Sequence, residues 1–394
     1  MVDGTLRESE RELPVRASCD VLVCGGGVAG AAAAISAARN GMRVCLIEKN
    51  CALGGLATLG LICDFLPLCD GKGHQVIRGI AQEFFEAATR RGADPIPRCW
   101  QEETGSLEER AKQRLRAHFT PAWFRLELER MVEEAGVHVL YDTRLCRVFR
   151  RGNRVTAAAV ENKDGRSAIR CGAMIDATGD ADTVWMAGEE TVSLRDNRRA
   201  GWFFMNEQGG MRLHIVGDRF FEPIPPGHPG FAGDDAQSVC AFLRDSRKLI
   251  ADEVERLTGL PENHGAIPVL LPALPQMRKT RRLRGLHELM VRDGQYEADT
   301  IGMTGYYRRP GLVLCIPYGT LIGKTVENLF AAGRCISCEE DAWNITRGIP
   351  SCCITGQAAG VAASLCVSAR QPAQSMDLGR LRQRLKEQGA YLPE

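Results

Sequence analysis

The sequence predicts an α/β chain: a parallel sheet and a β-meander covered by helices, interrupted by an inserted α+β segment. Three observations carry this expectation. The apolar run Val21–Leu22–Val23 leads through three glycines into "GVAGAAAAISAARNG", so a buried strand, a tight turn and a small-residue helix follow one another directly. Further apolar strands run into glycine turns in "AMIDATGDADT" and "NLFAAGRCIS". Between those two, from about 188 to 310, the chain changes to a Pro- and Gly-rich stretch, "FFEPIPPGHPGFAG", and a long polar helix, "DAQSVCAFLRDSRKLIADEVERLTG".

The first unit is the most informative. Gly25, Gly27 and Gly30 satisfy G-x-G-x-x-G. The first permits a tight turn, the second lets backbone approach a pyrophosphate, and the third lets helix and strand pack closely. The phosphate then meets the unpaired N–H groups at the helix start. A second strand, "MRVCLIE", follows Gly41 and ends at Glu48, where a carboxylate accepts hydrogen bonds from ribose hydroxyls and opposes a 2'-phosphate. This Rossmann-like unit suits NAD and FAD equally. The Gly54–Gly55 pair in "KNCALGGLATLG" offers a second close backbone approach and tilts the choice toward FAD.

The other elements follow in order. Residues 77–92 and 120–136 have helical spacing, with Pro121 suited to a first turn. "VHVLYDT" and the alternating stretch after it form a meander joined by Gly-Asn and Asp-Gly turns. A strand over Ala173–Ala177 enters a turn at Thr178, Gly179 and Asp180, and another enters Gly333 and Arg334. "PSCCITGQAAGVAASLCV" is a helix of small residues in which Gly356, Ala359 and Gly360 allow close backbone packing, and its start can face a flavin ring. The expected organisation is an extension over 1–17, a nucleotide-binding domain over 18–187 and 311–372, a substrate or cap domain over 188–310, and a tail or helix over 373–394.

Composition narrows the function classes. In 394 residues, 50 Lys and Arg balance 49 Asp and Glu, so no overall field favours a polyanion, and neither nucleic acid nor a membrane is an expected partner. The charged N-terminal stretch has no apolar secretory core, and cytoplasmic location is expected. Sixteen scattered cysteines then read as reduced thiols. Their close pairs are Cys335 with Cys338 and Cys352 with Cys353; without a repeated C-x-x-C ladder no metal is expected, and packing is favoured over a redox dithiol.

"DVLVCGGGVAGAAAAISAARNG", "LIEKNCALGGLATLG", "IDATGDAD", "IPYGTLI" and "NLFAAGRCIS...RGIPSCCITGQAAGVAA" together resemble the bacterial FAD-dependent oxidoreductase family. That family shares the glutathione-reductase-type FAD fold and is related to the fumarate reductase and succinate dehydrogenase flavoproteins. The resemblance spans about residues 18 to 370 and is specific for FAD but nearly silent on substrate. It implies that Gly25, Gly27, Val28, Ala29 and Gly30 contact the pyrophosphate, Glu48 and Lys49 the ribose end, and Gly54 and Gly55 the ribityl side. Leu145, Thr178, Gly179, Asp180, Gly333, Arg334, Cys352, Cys353 and Gly356 complete the implied pocket. His74 lies outside the usual attachment motif, so FAD is expected to be noncovalent.

Four residues are candidates for chemistry. "QMRKTRRLRG" resembles a family stretch reading Arg-Glu-Thr-Arg-Arg, with Lys279 in place of the acid. Three of its five cations are expected on a solvated face, with Arg282 the candidate for the ligand pocket, since planar guanidinium suits a carboxylate. Arg347 resembles the substrate-facing arginine of fumarate-reductase-like proteins. Tyr306 and Tyr307 are candidate proton or hydrogen-bond donors. The expected activity is two-electron or hydride transfer between flavin and a small polar or carboxylated substrate, by dehydrogenation or by reduction of an activated double bond. With no second G-x-G-x-x-G domain, a separate electron donor or acceptor is expected, and a homodimer is compatible with the apolar insert. The alternatives are a flavin-binding sensor or structural module, and a flavin-assisted nucleic-acid-modifying enzyme.

Overall fold

The computed structural model describes residues 4–6, 8, 10–101, 105–218, 230–291 and 298–393. Strand β1 (Val15–Cys24), helix α1 (Val28–Arg39) and strand β2 (Val44–Ile47) form the expected opening unit. The main sheet adds β5 (His138–Leu140), β6 (Arg144–Arg151), β7 (Arg154–Asn162), β8 (Gly165–Asp176) and β16 (Leu329–Ala331), and runs β5-β2-β1-β8-β7-β6 with β16 also on β8. Pairing is parallel from β5 to β8 and for β16, and antiparallel through the meander β6–β7–β8. A short pair, β3 (Asp64–Phe65) and β4 (Ala117–His118), lies apart from it.

The sequence places a new strand at Ala173, but β8 already begins at Gly165. One continuous strand serves two neighbours on the same edge: β7 pairs with residues 165–170 and β16 with 174–176. Asn328 fills the fork where these neighbours part. Its Oδ1 accepts from Val155 N at 2.8 Å, and its Nδ2 donates to Val155 O at 2.8 Å and Gly172 O at 2.7 Å. A buried split in backbone pairing is thereby satisfied by a single amide.

Helices α2 (Ile80–Thr89) and α5 (Pro121–Glu134) pack Phe84, Phe85 and Phe124 into a cluster with Phe65 and Phe119. Short helices α3 (Arg98–Gln101), α4 (Leu107–Lys112) and α6 (Asp182–Met186) cover loops. In the insert, β10 (Ala200–Glu207), β11 (Gly210–Gly217) and β12 (Ile267–Leu270) form a three-stranded antiparallel sheet, and α7 (Ala236–Thr258) lies against it over Phe203, Met205, Ile250 and Leu257. Asp235 caps α7 by accepting from Ser238 N at 2.6 Å. Strands β9 (Thr191–Ser193) and β13 (Arg281–Leu283) pair antiparallel, so the chain enters and leaves the insert side by side. Residues 220–229 of the Pro- and Gly-rich stretch lie outside the described residues.

Strand β14 (Thr300–Gly305) pairs with β15 (Val313–Pro317), and Thr304 Oγ1 lies 2.7 Å from Ser351 Oγ on helix α9 (Ile349–Ala369). Helix α8 (Glu340–Thr346) precedes α9, and α10 (Leu378–Glu387) buries Leu381 and Leu385.

Helix α9 is long and apolar enough to cross a membrane by composition, but 83 % of its apolar window is buried inside the protein. Much of that burial is against α1. A Cβ on Gly356 would fall 2.2 Å from Ala29 O, and one on Gly360 2.3 Å from Ala33 O. The G-x-x-x-G spacing puts both on one helix face, and small residues on α1 meet them. Gly360→Ala should therefore lower stability by about 1–3 kcal/mol despite alanine's better helix propensity, read as a drop in thermal midpoint.

Candidate cofactor and substrate site

The glycines of the opening motif serve different ends. Gly25 has φ +103, and a Cβ there would lie 2.5 Å from Ala177 O. At Gly30 a Cβ would fall 1.8 Å from Gly25 O. Both are demanded by the protein's own packing. Gly27 is different: its φ is −65 and nothing lies within 4 Å of a Cβ built on it. Neither backbone conformation nor a protein neighbour requires glycine there; close approach of a ligand does. Val28 and Ala29 form the first turn of α1 behind it.

The Gly54–Gly55 loop docks onto this turn. Both residues have positive φ, +96 and +54, Gly54 N donates to Gly26 O at 2.8 Å, and a Cβ on Gly55 would lie 3.2 Å from Gly27 Cα. Glu48 is buried at 6 % exposure and ties the loops together. Its Oε2 accepts from Gly26 N at 2.7 Å, and its Oε1 accepts from Asn50 N at 2.8 Å and Asn50 Nδ2 at 2.6 Å. A carboxylate has about four acceptor sites, so capacity remains for a ribose hydroxyl. Gly26 and Asn50 were not singled out by the motif. Lys49 is exposed and acts electrostatically on Asp182, while Leu145 starts β6 half-buried beside the core that contains Ile47.

The turn after β8 is held from below by Asp176. Its Oδ1 accepts from Thr178 N at 3.0 Å and Thr178 Oγ1 at 2.7 Å, and its Oδ2 from Val184 N at 2.8 Å. Burial pushes its carboxyl up to about 6, against the lowering effect of those bonds. Thr178 Oγ1 in turn accepts from Asp180 N and Asp182 N. Gly179, at φ +81, leaves room for Arg334, whose Nε donates to Gly179 O at 2.7 Å, Nη1 to Met277 O at 2.8 Å and Nη2 to Asp180 Oδ1 at 2.8 Å. Arg334 and Asp180 thus clamp the turn to the insert's exit segment; their charges are spent within the protein. Gly333, at φ +74, donates its N–H to Thr355 Oγ1 at 2.9 Å.

Three implied pocket residues require correction. Gly356 is a packing residue against Ala29, its Cβ position being occupied by backbone. Cys353 is fully buried in the helix, and Cys352 directs its N–H to Gly348 O and its thiol to Arg347 O at 3.4 Å. Burial pushes the Cys352 thiol up to about 12. Cys335 and Cys338 are likewise buried, high-pKa thiols, and all sixteen cysteines are unbridged. Among the described residues no group of three or more His, Cys, Asp or Glu could hold a metal.

The basic stretch 278–284 is not a solvated face. Lys279, Arg281 and Arg282 are buried, each against its own carboxylate: Asp196 at 2.6 Å, Asp182 at 2.6 Å and Glu288 at 2.5 Å. Only Arg284 is exposed. Arg282 also lies over the Trp343 ring, 5.7 Å from its centroid, so its expected place in the ligand pocket is corrected to a structural ion pair. Arg278, half-buried, feels the charges of Tyr307, Arg198, Arg308 and Asp196, and acts in turn on Arg347 at the junction of α8 and α9. Burial and then the charge of Arg278 push Arg347 down to about 10, which leaves it cationic at neutral pH. Tyr307 Oη accepts from Arg308 Nε at 2.8 Å, and its backbone carbonyl accepts from Arg114. Tyr306 packs edge-on to Tyr307, 5.7 Å between centroids, and against the core. His74 is exposed and bonded to Asp70 at 3.0 Å.

The family described as FAD dependent oxidoreductase matches residues 20–218 and 311–385. The chain belongs to this FAD-dependent oxidoreductase family. FAD is accordingly its cofactor, and the open space at Gly27, the paired glycine loops and Glu48 fit the adenosine diphosphate half. Among solved structures, a geranylgeranyl bacteriochlorophyll reductase-like protein from Thermoplasma acidophilum is 16 % identical, with 95 % of this chain and 84 % of that one covered, at a TM-score of 0.50. The p-nitrophenol 4-monooxygenase of Pseudomonas putida DLL-E4 is 10 % identical, with 95 % and 89 % covered, at 0.54. These likenesses concern the fold. No curated protein matches the chain.

Two outcomes follow from the geometry of this FAD-dependent oxidoreductase. Gly27→Ala should leave the thermal midpoint of the cofactor-free protein nearly unchanged while weakening FAD binding roughly tenfold or more by fluorescence titration; Gly30→Ala should fail at the level of folding. Because the native pKa of Asp176 is raised, its contribution to stability is full below pH about 4 and declines as pH rises through about 6. The stability advantage of wild type over Asp176→Asn should therefore shrink by about 3 kcal/mol between pH 4 and pH 8 in denaturant titrations.

Proposed function

We propose that this flavoenzyme transfers two electrons, as a hydride, between FAD and a small carboxylated or similarly anionic organic substrate. The observation that carries this reading is the convergence of Arg278 and Arg347 beside Tyr307 at the start of α9. Like charges brought together in a partly buried place repel one another, and an anion set between them relieves that cost.

The flavin, when bound, supplies hydride transfer at its ring. The chain's own residues bind and orient. Arg278 and Arg347 fix the substrate's anionic group by planar, two-pronged hydrogen bonds. Tyr307 accepts from Arg308, which leaves its own hydroxyl hydrogen available to a substrate oxygen or to a carbon being protonated. Tyr306 holds the Tyr307 ring edge-on. The insert, 188–310, closes the pocket through Met277 and Arg278, which Arg334 anchors to the cofactor side. FAD is held noncovalently, and a separate donor or acceptor exchanges electrons with it.

Anaerobic mixing of reduced or oxidised enzyme with a panel of carboxylated metabolites tests the proposal through recovery or bleaching of flavin absorbance. Arg347→Ala should raise KM for the responding substrate roughly tenfold or more, with the flavin spectrum retained. Arg282→Ala should instead lower the thermal midpoint, by about 2–3 kcal/mol, and leave KM alone. A responding substrate without any anionic group, or unchanged KM in Arg347→Ala, would overturn the assignment.

A further inference from the structure

A second group of cations lies far from this site. Where β7 and β16 part along the edge of β8, the fork opens into a cleft of about 440 Å³ lined by Ser18, Cys19, Arg151, Arg154, Thr156, Arg170 and the Asn328 side chain, among others. Cys19 and Cys24 lie on the same strand, so the cleft sits roughly 16 Å along β1 from the cofactor turn. No carboxylate lines it. Glu327 stands beside it and pairs with Arg154 at 3.1 Å, offsetting one of the three guanidinium charges. Among the described residues, Arg151 and Arg170 make no ion pair with a carboxylate.

The cleft is a built feature. Asn328 spends its amide on Val155 and Gly172, which props the two strands apart while satisfying their backbone. The arginines arise from two neighbouring turns of the meander: Arg151 and Arg154 flank the β6–β7 turn and face one another in register, and Arg170 stands where β7 leaves β8. Rigid strands therefore hold three guanidinium groups around a space of ligand size.

We propose that this cleft binds a small, non-aromatic dianion, a phosphate ester or dicarboxylate bearing hydroxyl groups, as a site separate from the redox pocket. Two unopposed guanidinium groups match two negative charges, and their planar forks suit either oxyanion. The Ser18 and Thr156 hydroxyls meet hydroxyl groups on the ligand. The lining contains no aromatic side chain, so a nucleobase finds no stacking surface.

The test uses the FAD-loaded protein in calorimetric titrations with inorganic phosphate, glucose 6-phosphate, succinate and AMP. Saturable binding of glucose 6-phosphate or succinate is expected, weakened roughly tenfold or more in Arg151→Ala/Arg170→Ala, with flavin spectrum and turnover unaltered. The stronger of these two probes identifies the oxyanion. Hydrogen exchange gives an independent readout: the bound probe should protect residues 151–156 and 170–172. No saturable binding, affinity unchanged in the double variant, protection confined to the segments around Arg278 and Arg347, or AMP binding more tightly than glucose 6-phosphate would each overturn the proposal.

Discussion

The contact between α1 and α9 governs the rest of this structure. Backbone oxygens of Ala29 and Ala33 occupy the places where side chains on Gly356 and Gly360 would be, so the helix axes approach more closely than any larger residues allow. The start of α1 carries the pyrophosphate turn, and the start of α9 carries Arg347. The separation of these helices therefore sets the distance between the glycine turn at the start of α1 and Arg347 at the start of α9. Gly333, whose added Cβ would meet that of Ala29 at 2.7 Å, is wedged between the same helices. The relative placement of the α1 turn and the α8–α9 junction is a consequence of small-residue packing in the core.

Around that core, buried cations on the loops are paired with acids. Arg334 joins the turn after β8 to the insert's exit, Arg281 joins Asp182 beneath the exposed Trp185, and Lys279 and Arg282 hold their own acids. Each pair fixes one loop against another, and removing one partner would leave the other charge poorly compensated. At Arg347 burial and the charge of Arg278 act in the same direction, both lowering its pKa.

The strand–turn–helix–strand opening, the meander and the cofactor were legible because their residues act locally: Gly25 and Gly27 define a turn, and alternation defines a strand. Close packing at Gly356 and Gly360 is legible from their spacing, but the partner is not: a glycine near a helix start suits an anion as well as a neighbouring helix, and only Ala29 decides between them. The arginine run failed similarly. Three of five cations in seven residues read as a solvated face, yet Asp196 and Asp182 reach Lys279 and Arg281 from beside β9, which pairs with β13, and Glu288 reaches Arg282 from six residues on. Arg282 and Arg278 cannot be told apart until Glu288 and Trp343 are placed. The continuity of β8 was hidden because Arg170, Cys171 and Gly172 break the apolar run before Ala173.

Near-zero net charge argues against a long polyanion, whose binding depends on the field of a whole surface. It does not constrain small anions, which respond to charge within a Debye length of roughly 8–10 Å. Among the described residues acids pair with Lys279, Arg281, Arg282 and Arg334, whereas Arg151 and Arg170 at the β8 fork make no ion pair with a carboxylate. Composition averages over the two populations and reports balance. The separation is made by topology: Asp196 and Asp182 reach Lys279 and Arg281 from either side of β9, which pairs with β13, while among the described residues no carboxylate pairs with Arg151 or Arg170. A sequence with the same charge count but Glu288 or Asp182 moved a few residues would leave Arg282 or Arg281 without its acid, and its affinity for small oxyanions would lie elsewhere.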